Sequence, residues 1–505
     1  MFGAQPSLPC ARLVSVETDI TRGLHAFAIV GLPDKAVEEA RDRVSSAIKN
    51  SDLPSPKSCN KKIVVSLAPA ELRKEGSAFD LPVALSYLLA SEDLAFDPIG
   101  KLFAGELGLD GSVRPVRGAL SIALLARKEG MRELFIPRVN AEEAALVSGI
   151  TIYPADTLGD IIAHLKAEDA VPLTPYERAA KESDVFHTRS APLDAIRGHE
   201  SAKRALEIAV AGRHNIALYG PPGTGKTMLA RAAAALLPEL SEDETIEVTA
   251  IHSLAGTLEG YALRVPPFRA PHHTASYASM IGGGAVPRPG EVTLAHRGVL
   301  FLDEFPEFHR DVINALREPL EDSKVSVSRA RSSATFPANF MLIAALNPCP
   351  CGKYGSKECH CTPSTLDRYK KKISGPVVDR IDMWVHVGSL PHESLLMKNV
   401  ESKGETETEK ARERITTARQ YQSQRFHRVP HISTNADMGP KDIETYANLA
   451  SDAETVLQQA ARAMNLSARG YHRTIKLART IADLAQSETI QSPHMLEALQ
   501  YRSRE

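Results

Sequence analysis

No run of apolar residues in this chain approaches the roughly 18 that a membrane-spanning helix needs. Met1 is not followed by a secretory signal. The expected location is therefore the cytoplasm, with no membrane partner. Charge of one sign is missing as well. Sixty Lys and Arg against 62 Asp and Glu leave a net charge of −2 over 505 residues, which gives no global field for a polyanion. Any nucleic-acid binding must then rest on a local patch. Cysteine is scarce: six residues do not make a disulfide framework in a chain this long. Four of the six fall between 349 and 361, which points instead to metal or redox chemistry. The length suggests about three domains, and the apolar and charged fractions, 43% and 24%, are those of an ordinary globular protein.

What the chain does have is a stretch around which the rest is organised. Residues 215–228 read NIALYGPPGTGKTM. The short apolar run Ile216 to Tyr219 predicts a strand, and the Ala- and Leu-rich segment after Thr227 predicts a helix. Between them lie Gly220, Pro221, Pro222, Gly223, Thr224, Gly225, Lys226 and Thr227, the pattern of a phosphate-binding P-loop. Glycines let backbone N–H groups turn inward around an anion, and the helix N-terminus adds partial positive charge. Lys226 would meet the β- and γ-phosphates of ATP, and the Thr227 hydroxyl would ligate Mg²⁺.

A second nucleotide element follows at 298–304, GVLFLDE. Four apolar residues predict a central parallel strand with Asp303 and Glu304 at its C-terminal end. Asp303 would hold Mg²⁺ through water and Glu304 would polarise the attacking water. The strand predicted at 340–348 ends in Asn347, where ATPases that this chain resembles place a polar residue to help orient that water. Next comes CPCGKYGSKECHC, with Cys349, Cys351, Cys359 and Cys361 in a C-x-C, seven-residue, C-x-C spacing. Four thiolates with glycines to bend the loop can close a tetrahedral Zn²⁺ site. A zinc ribbon prefers C-x₂-C, so reduced thiols or a redox role remain open readings.

The other segments are read by pattern. Residues 1–165 predict a compact α/β domain: strands at 27–33 and 62–67, a helix capped by Asp34, a buried helix at 81–90, a hairpin turning at Asp110-Gly111, and a helix ending at Gly130. Residues 166–195 read as a polar linker. The Gly- and Pro-rich stretch 251–290 is too long for a plain connection. Its adjacent His272 and His273 suit loop packing or a partner contact better than one shared metal ion. A helix is predicted over 310–322, then a hairpin over 324–338 with Val325 and Val327 on one face and Arg329 and Arg331 near the tip. Lys370, Lys371 and Lys372 read as a solvated face. A core at 196–395 thus gives way to a linker and helical domain at 396–505, in which Tyr471, Ile475, Ala478, Ala482 and Ala485 form one stripe.

These motifs carry a resemblance. GPPGTGKT, PFRAPHHT, GVLFLDE, LNPCPCG, the DRID at 379–382 and the SARG at 467–470 together resemble the AAA+ ATPases of the magnesium-chelatase type, closest to their competence-protein branch. The first domain resembles the Lon-protease-like (S5 domain 2-like) fold through Lys74-Glu75-Gly76-Ser77-Ala78 and Gly111-Ser112-Val113-Arg114. It lacks the peptidase dyad: Ser77 is displaced by one residue and Arg114, which does not deprotonate readily, stands for the lysine. Against relatives the domain begins some residues late. The resemblance implies a multidomain α/β protein with a Lon-like non-peptidase domain, an AAA+ parallel-sheet core and a helical lid. It also implies a ring, usually a hexamer, with ATP between subunits. Arg380 would then be a finger acting in trans, with an ion pair to Asp379 or Asp382 as the alternative. Arg469 would be a second arginine sensor acting in cis. The 324–338 hairpin would point into the channel, where Lys324, Arg329 and Arg331 grip DNA phosphates. The implied activity is an ATP-driven DNA motor of the branch-migration helicase type. The alternatives are a chelatase-type motor acting on a protein partner, an ATP-dependent protease, and a nucleotide-switched scaffold.

Overall fold

A computed structural model describes residues 1–8, 10–58, 60–166, 171–177, 192–284, 288–329, 332–354, 358–372, 375–389, 406–429 and 432–502. The chain divides into two compact units, Met1–Asp184 with Ser241–Leu263, and Val185–Leu240 with Arg264–Glu505. Of the expected linker at 166–195, residues 167–170 and 178–191 lie outside the described residues.

In the first unit the alternation of Lys61–Ala68 buries Ile63, Val65 and Leu67 on one face of the strand. It pairs antiparallel with Arg12–Arg22 and parallel with Ala26–Val30. The helix Lys35–Lys49 starts where Asp34 accepts from the Val37 N–H at 2.8 Å, and Val37, Ala40, Val44 and Ile48 line its buried stripe. The helix Asp80–Ala90 is buried along nearly its whole length. A second, parallel sheet joins Lys101–Phe103, Glu133–Pro137 and Thr151–Ala155. The hairpin Glu106–Leu107 with Val113–Arg114 turns at Gly111, whose φ of +88° suits a residue without Cβ. At its foot the Ser77 hydroxyl donates to the Glu106 carboxylate, and Arg114 Nη1 lies 3.8 Å from the same side chain. Lys74 Nζ instead donates to the Pro69 carbonyl.

One segment within the expected core at 196–395 packs apart from the rest of it. The segment Ser241–Leu263 belongs to the first unit. Its helix, Glu242–Ala255, opens with a capping box between Ser241 and Glu244. Ala250 and Ile246 join the apolar cluster built on the helix Ala119–Lys128, and Ser253 Oγ accepts from the Gly118 N–H at 3.0 Å.

In the second unit a fully parallel five-stranded sheet runs in the order Phe268–Arg269, Val299–Leu302, Met341–Leu346, Ile216–Tyr219, Met383–His386. The strands Val299–Leu302 and Met341–Leu346 are buried at every position, as expected of a sheet covered on both faces. The predicted helix 310–322 is in fact two, Arg310–Ala315 and Arg317–Asp322. Pro319 has no N–H to bond the Ala315 carbonyl, so the helix breaks at Leu316.

The C-terminal helices are Glu407–Phe426, Pro440–Tyr446, Ser451–Ala463, Ala468–Leu484 and Ser492–Gln500. The first and fourth pack on Glu200–Gly212, the helix that leads into the P-loop strand. Along Ala468–Leu484 the residues Ile475, Ala478 and Ala482 are buried and Tyr471 is half-buried. Ala485, expected on the same stripe, stands one residue past the helix end and is exposed.

Asp483, buried in this helical layer, accepts from Arg479 Nη2 at 2.9 Å, Arg425 Nη1 at 2.9 Å and Asn435 Nδ2 at 2.8 Å. Removing the carboxylate strands two guanidinium groups, of which Arg479 is 1% exposed. Asp483→Ala is therefore expected to lower stability by about 3–5 kcal/mol, read as a fall in the urea midpoint followed by circular dichroism.

Candidate nucleotide site

The P-loop leaves the sheet at the C-terminal end of the central strand Ile216–Tyr219 and turns into the helix Lys226–Leu236. Gly220 touches the neighbouring strand's end so closely that a Cβ would lie 2.0 Å from the Val387 carbonyl oxygen. Gly223 and Gly225 take φ values of +78° and +85°, a conformation that costs other residues energy. Thr224 Oγ1 donates to the Pro221 carbonyl at 3.0 Å and fixes the turn. The Lys226 ammonium is buried and donates to the carbonyls of Gly220 (2.8 Å) and Pro221 (2.7 Å) and to Asn347 Oδ1 (3.3 Å). Burial pushes its pKa below the ordinary lysine value, against the opposing charge of Asp303.

The two acids and the asparagine converge on this loop because their strands are its neighbours. Asp303 Oδ2 accepts from Thr227 Oγ1 at 2.9 Å, so the hydroxyl and carboxylate expected to share Mg²⁺ already face each other. Glu304 sits at φ +50°, a left-handed conformation uncommon for a residue with a side chain and frequent at functional sites. Asn347, at the end of the strand Met341–Leu346, touches Lys226 as described. The donor set fits a nucleoside triphosphate with its Mg²⁺: a helix N-terminus, a buried ammonium, and a hydroxyl–carboxylate pair.

His273, read in the sequence as a packing or partner residue, lies 3.4 Å from Glu304 Oε2 through Nδ1, its ring against that of His272 at 4.1 Å between centroids. When the imidazole is protonated, a partly exposed pair of this kind holds its carboxylate with about 0.5–1 kcal/mol. His273→Ala is expected to release Glu304 and raise the basal ATPase rate by roughly twofold to fivefold, the Boltzmann equivalent of that energy. A steady-state assay without added polymer checks it.

The two arginines sit elsewhere. Arg380 precedes the strand Met383–His386, and its carbonyl accepts from Asn215 Nδ2 at 3.0 Å. Asn215 lies before the first residue of the P-loop strand, Gly220 after its last. At ~3.3 Å per residue these ends are roughly 16 Å apart. Arg380 pairs with Glu321 of the helix Arg317–Asp322. Arg469, in the first turn of Ala468–Leu484, donates to the other oxygen of Glu321 at 2.6 Å. The Arg380 hydrogen bond, backed by both positive charges, holds the Glu321 carboxyl below its usual range. Arg469 thus shares one carboxylate with Arg380. The C-terminal helices dock on the rest of this unit through Arg473, 3.5 Å from Asp382, and Glu497, 3.0 Å from Arg204; Asp382 also lies 3.6 Å from His214.

The hairpin pairs Lys324–Arg329 with Ser332–Pro337. Val325, Val327 and Phe336 are buried, as the alternation required. Lys324 is exposed at the base, opposite Pro337. The side chain of Arg329 and all of Arg331 lie outside the described residues. Of the three lysines expected on a solvated face, Lys371 is exposed. Lys372 pairs with Glu307 at 2.8 Å.

The four sulfurs of Cys349, Cys351, Cys359 and Cys361 lie within 4.8 Å of one another. Cys349 to Cys351 is 3.3 Å, Cys351 to Cys359 is 3.6 Å and Cys349 to Cys359 is 4.0 Å. A tetrahedron of thiolates with metal–sulfur bonds of about 2.3 Å has edges of about 3.8 Å, so the donor set fits Zn²⁺. The Cys351 thiol is drawn down to about 6, first by the Lys353 backbone N–H and next by the Cys349 thiol.

Comparison with known proteins agrees with this geometry. Residues 192–395 match the family model "Magnesium chelatase, subunit ChlI", 16–140 match "Subunit ChlI of Mg-chelatase" and 405–502 match "Magnesium chelatase, subunit ChlI C-terminal". The chain is 43% identical over 497 residues to the competence protein ComM of Haemophilus influenzae, covering 98% of this chain and 95% of that one. The chain belongs to the magnesium-chelatase-type ComM/YifB family. It is also 42% identical to YifB of Escherichia coli, covering 97% of this chain and 94% of YifB. A shorter match, 32% identical over 176 residues, links 30% of the chain to Lon protease 2 of Bacillus subtilis, 32% of which it covers. Among the described residues no helix is long and apolar enough to cross a membrane.

Proposed function

We propose that the chain is a ring-forming, ATP-hydrolysing AAA+ motor that moves DNA, of the branch-migration helicase type, and works in recombination or transformation in the cytoplasm. The observation that carries the reading is the separation of one chain's machinery. Lys226, Thr227, Asp303, Glu304 and Asn347 gather at the C-terminal ends of the inner strands, and Arg380, which shares Glu321 with Arg469, has its backbone at the N-terminal end, beside Asn215. A chain so built hydrolyses ATP when another copy presents its arginine edge to the nucleotide. A heterologous contact of that kind, repeated, closes a ring, and six copies are the number the family resemblance implies.

In this reading Lys226 and the loop N–H groups bind the phosphates. Thr227 and Asp303 hold Mg²⁺, which neutralises phosphate charge. Glu304 orients the water with Asn347, and Arg380 and Arg469 of a neighbour stabilise the charge of the transferring phosphoryl group. The first unit is a Lon-like domain without peptidase activity, since Ser77 is displaced by one residue and Arg114, which does not deprotonate readily, stands for the dyad's lysine. The C-terminal helices act as the lid. The cysteine cluster holds a structural Zn²⁺.

DNA is favoured as the polymer because the hairpin carries Lys324, Arg329 and Arg331 and a ring repeats that small charge in every subunit. The relative's name, competence protein, points the same way. The test is the ATPase rate with single-stranded and branched DNA. Stimulation that weakens with salt and is lost in Arg329→Ala/Arg331→Ala is expected. A DNA-indifferent rate in an assembled ring overturns the DNA reading and points to a protein partner, as in the chelatase-type motors.

A further inference from the structure

The cysteine loop holds more than its own shape. It continues directly from Asn347 through Pro348 into Cys349, which is fully buried. Gly352, at φ +73°, packs on the P-loop: a Cβ there would lie 2.5 Å from Pro222 Cδ. Its N–H donates to the Cys349 carbonyl at 2.9 Å. Beyond the cluster, the helix Pro363–Lys372 returns Tyr369, whose hydroxyl donates to the Asn347 carbonyl at 3.1 Å. The loop therefore touches the nucleotide site on both sides, at Pro222 and at Asn347.

Nothing apolar inside the loop keeps it in that place. The only large apolar side chain between Cys349 and Cys361 is Tyr354, and it is 59% exposed. A loop without a core of its own is ordered by a cross-link, and here the available one is four thiolates on a soft metal ion.

We infer that metal binding by Cys349, Cys351, Cys359 and Cys361 sets the position of Pro222 and Asn347, so that metal occupancy controls the affinity of the ATP site. The inference rests on the zinc and nucleotide readings above and adds the coupling between them. Gly352 and Tyr369 are the positioning residues that transmit it. Neither needs to touch nucleotide or metal.

Coupling between two binding sites is reciprocal, which supplies a readout independent of hydrolysis. Zn²⁺ is extracted from the full-length protein with a chelator of known affinity, with and without a non-hydrolysable ATP analogue and Mg²⁺. The analogue's Kd is measured on the zinc-loaded and zinc-stripped protein. The analogue is expected to tighten Zn²⁺ retention on the order of tenfold, and stripping is expected to weaken the analogue by the same factor. Gly352→Ala, which leaves all four thiols in place, is expected to keep one Zn²⁺ per chain and to lose most of the coupling.

Stripped protein that keeps its circular dichroism and binds the analogue with unchanged Kd overturns the coupling while leaving the zinc reading intact. Protein that takes up neither Zn²⁺ nor Co²⁺ overturns both. Failure to bind the analogue even when zinc-loaded overturns the nucleotide reading, and the coupling with it.

Discussion

Lys226→Ala is expected to raise the Kd for ATP by roughly thirtyfold to several thousandfold and to bring hydrolysis to background. The lysine is buried and places its ammonium between two loop carbonyls and Asn347. Triphosphate oxygens are stronger acceptors than those carbonyls, and the bonds they receive are charge-assisted. Truncating one partner of such a buried, charged pair costs about 2–5 kcal/mol, and each 1.4 kcal/mol is about a factor of ten in Kd. Calorimetric titration with an ATP analogue checks this. The variant should still fold, because the helix Lys226–Leu236 is held by Leu229, Ala230, Ala232, Ala233 and Leu236 in the core. Undiminished binding would mean that the loop does not hold the phosphates.

Arg380→Ala is expected to behave in the opposite way, with Kd close to wild type and kcat lower by on the order of 10³–10⁵, the range for an arginine that meets the transferring phosphoryl group. The Arg380 backbone sits beside Asn215, at the opposite end of the P-loop strand from Gly220, so on the proposed reading its loss leaves that chain's ground-state binding alone and falls on a neighbour's transition state. Lysine should not rescue it, since a point charge cannot present the planar fork that Arg380 offers to Glu321 and to a phosphoryl oxygen. A fall in binding with no change in kcat would place the residue in ground-state recognition instead.

The nucleotide half of the site was legible in the sequence because its chemistry is local. Glycines, a lysine and a threonine at fixed spacing carry the phosphate function wherever the strand and helix are placed. A buried strand ending in two acids carries its own direction. What was not legible depends on docking. The partner of Arg469 could not be read because the position of the C-terminal helices is fixed by pairs far apart in the chain, Arg204 with Glu497 and Arg473 with Asp382. No local pattern encodes those. Glu321 was read as one more residue of a helix, and only the fold shows it holding both arginines. The helix Glu242–Ala255 carries the capping pair Ser241 and Glu244 in its sequence, but a cap does not say what the helix packs against. His273 was weighed against a metal role, while its neighbour is Glu304, thirty-one positions along. The break at Leu316 could have been seen, since Pro319 was in plain view.

The most direct test of a site completed between copies is to mix the two inactive variants. Lys226→Ala carries the arginines but cannot hold ATP. Arg380→Ala holds ATP but presents no finger. Co-assembled in equal amounts, with assembly verified by light scattering, they form some interfaces that join an intact P-loop to an intact arginine. With random mixing in a ring about a quarter of all interfaces are of that kind. ATPase activity recovering toward about a quarter of the wild-type rate is the predicted result. Mixed assemblies as inactive as either variant alone would show that each chain needs both sets of residues for itself, and would contradict the account.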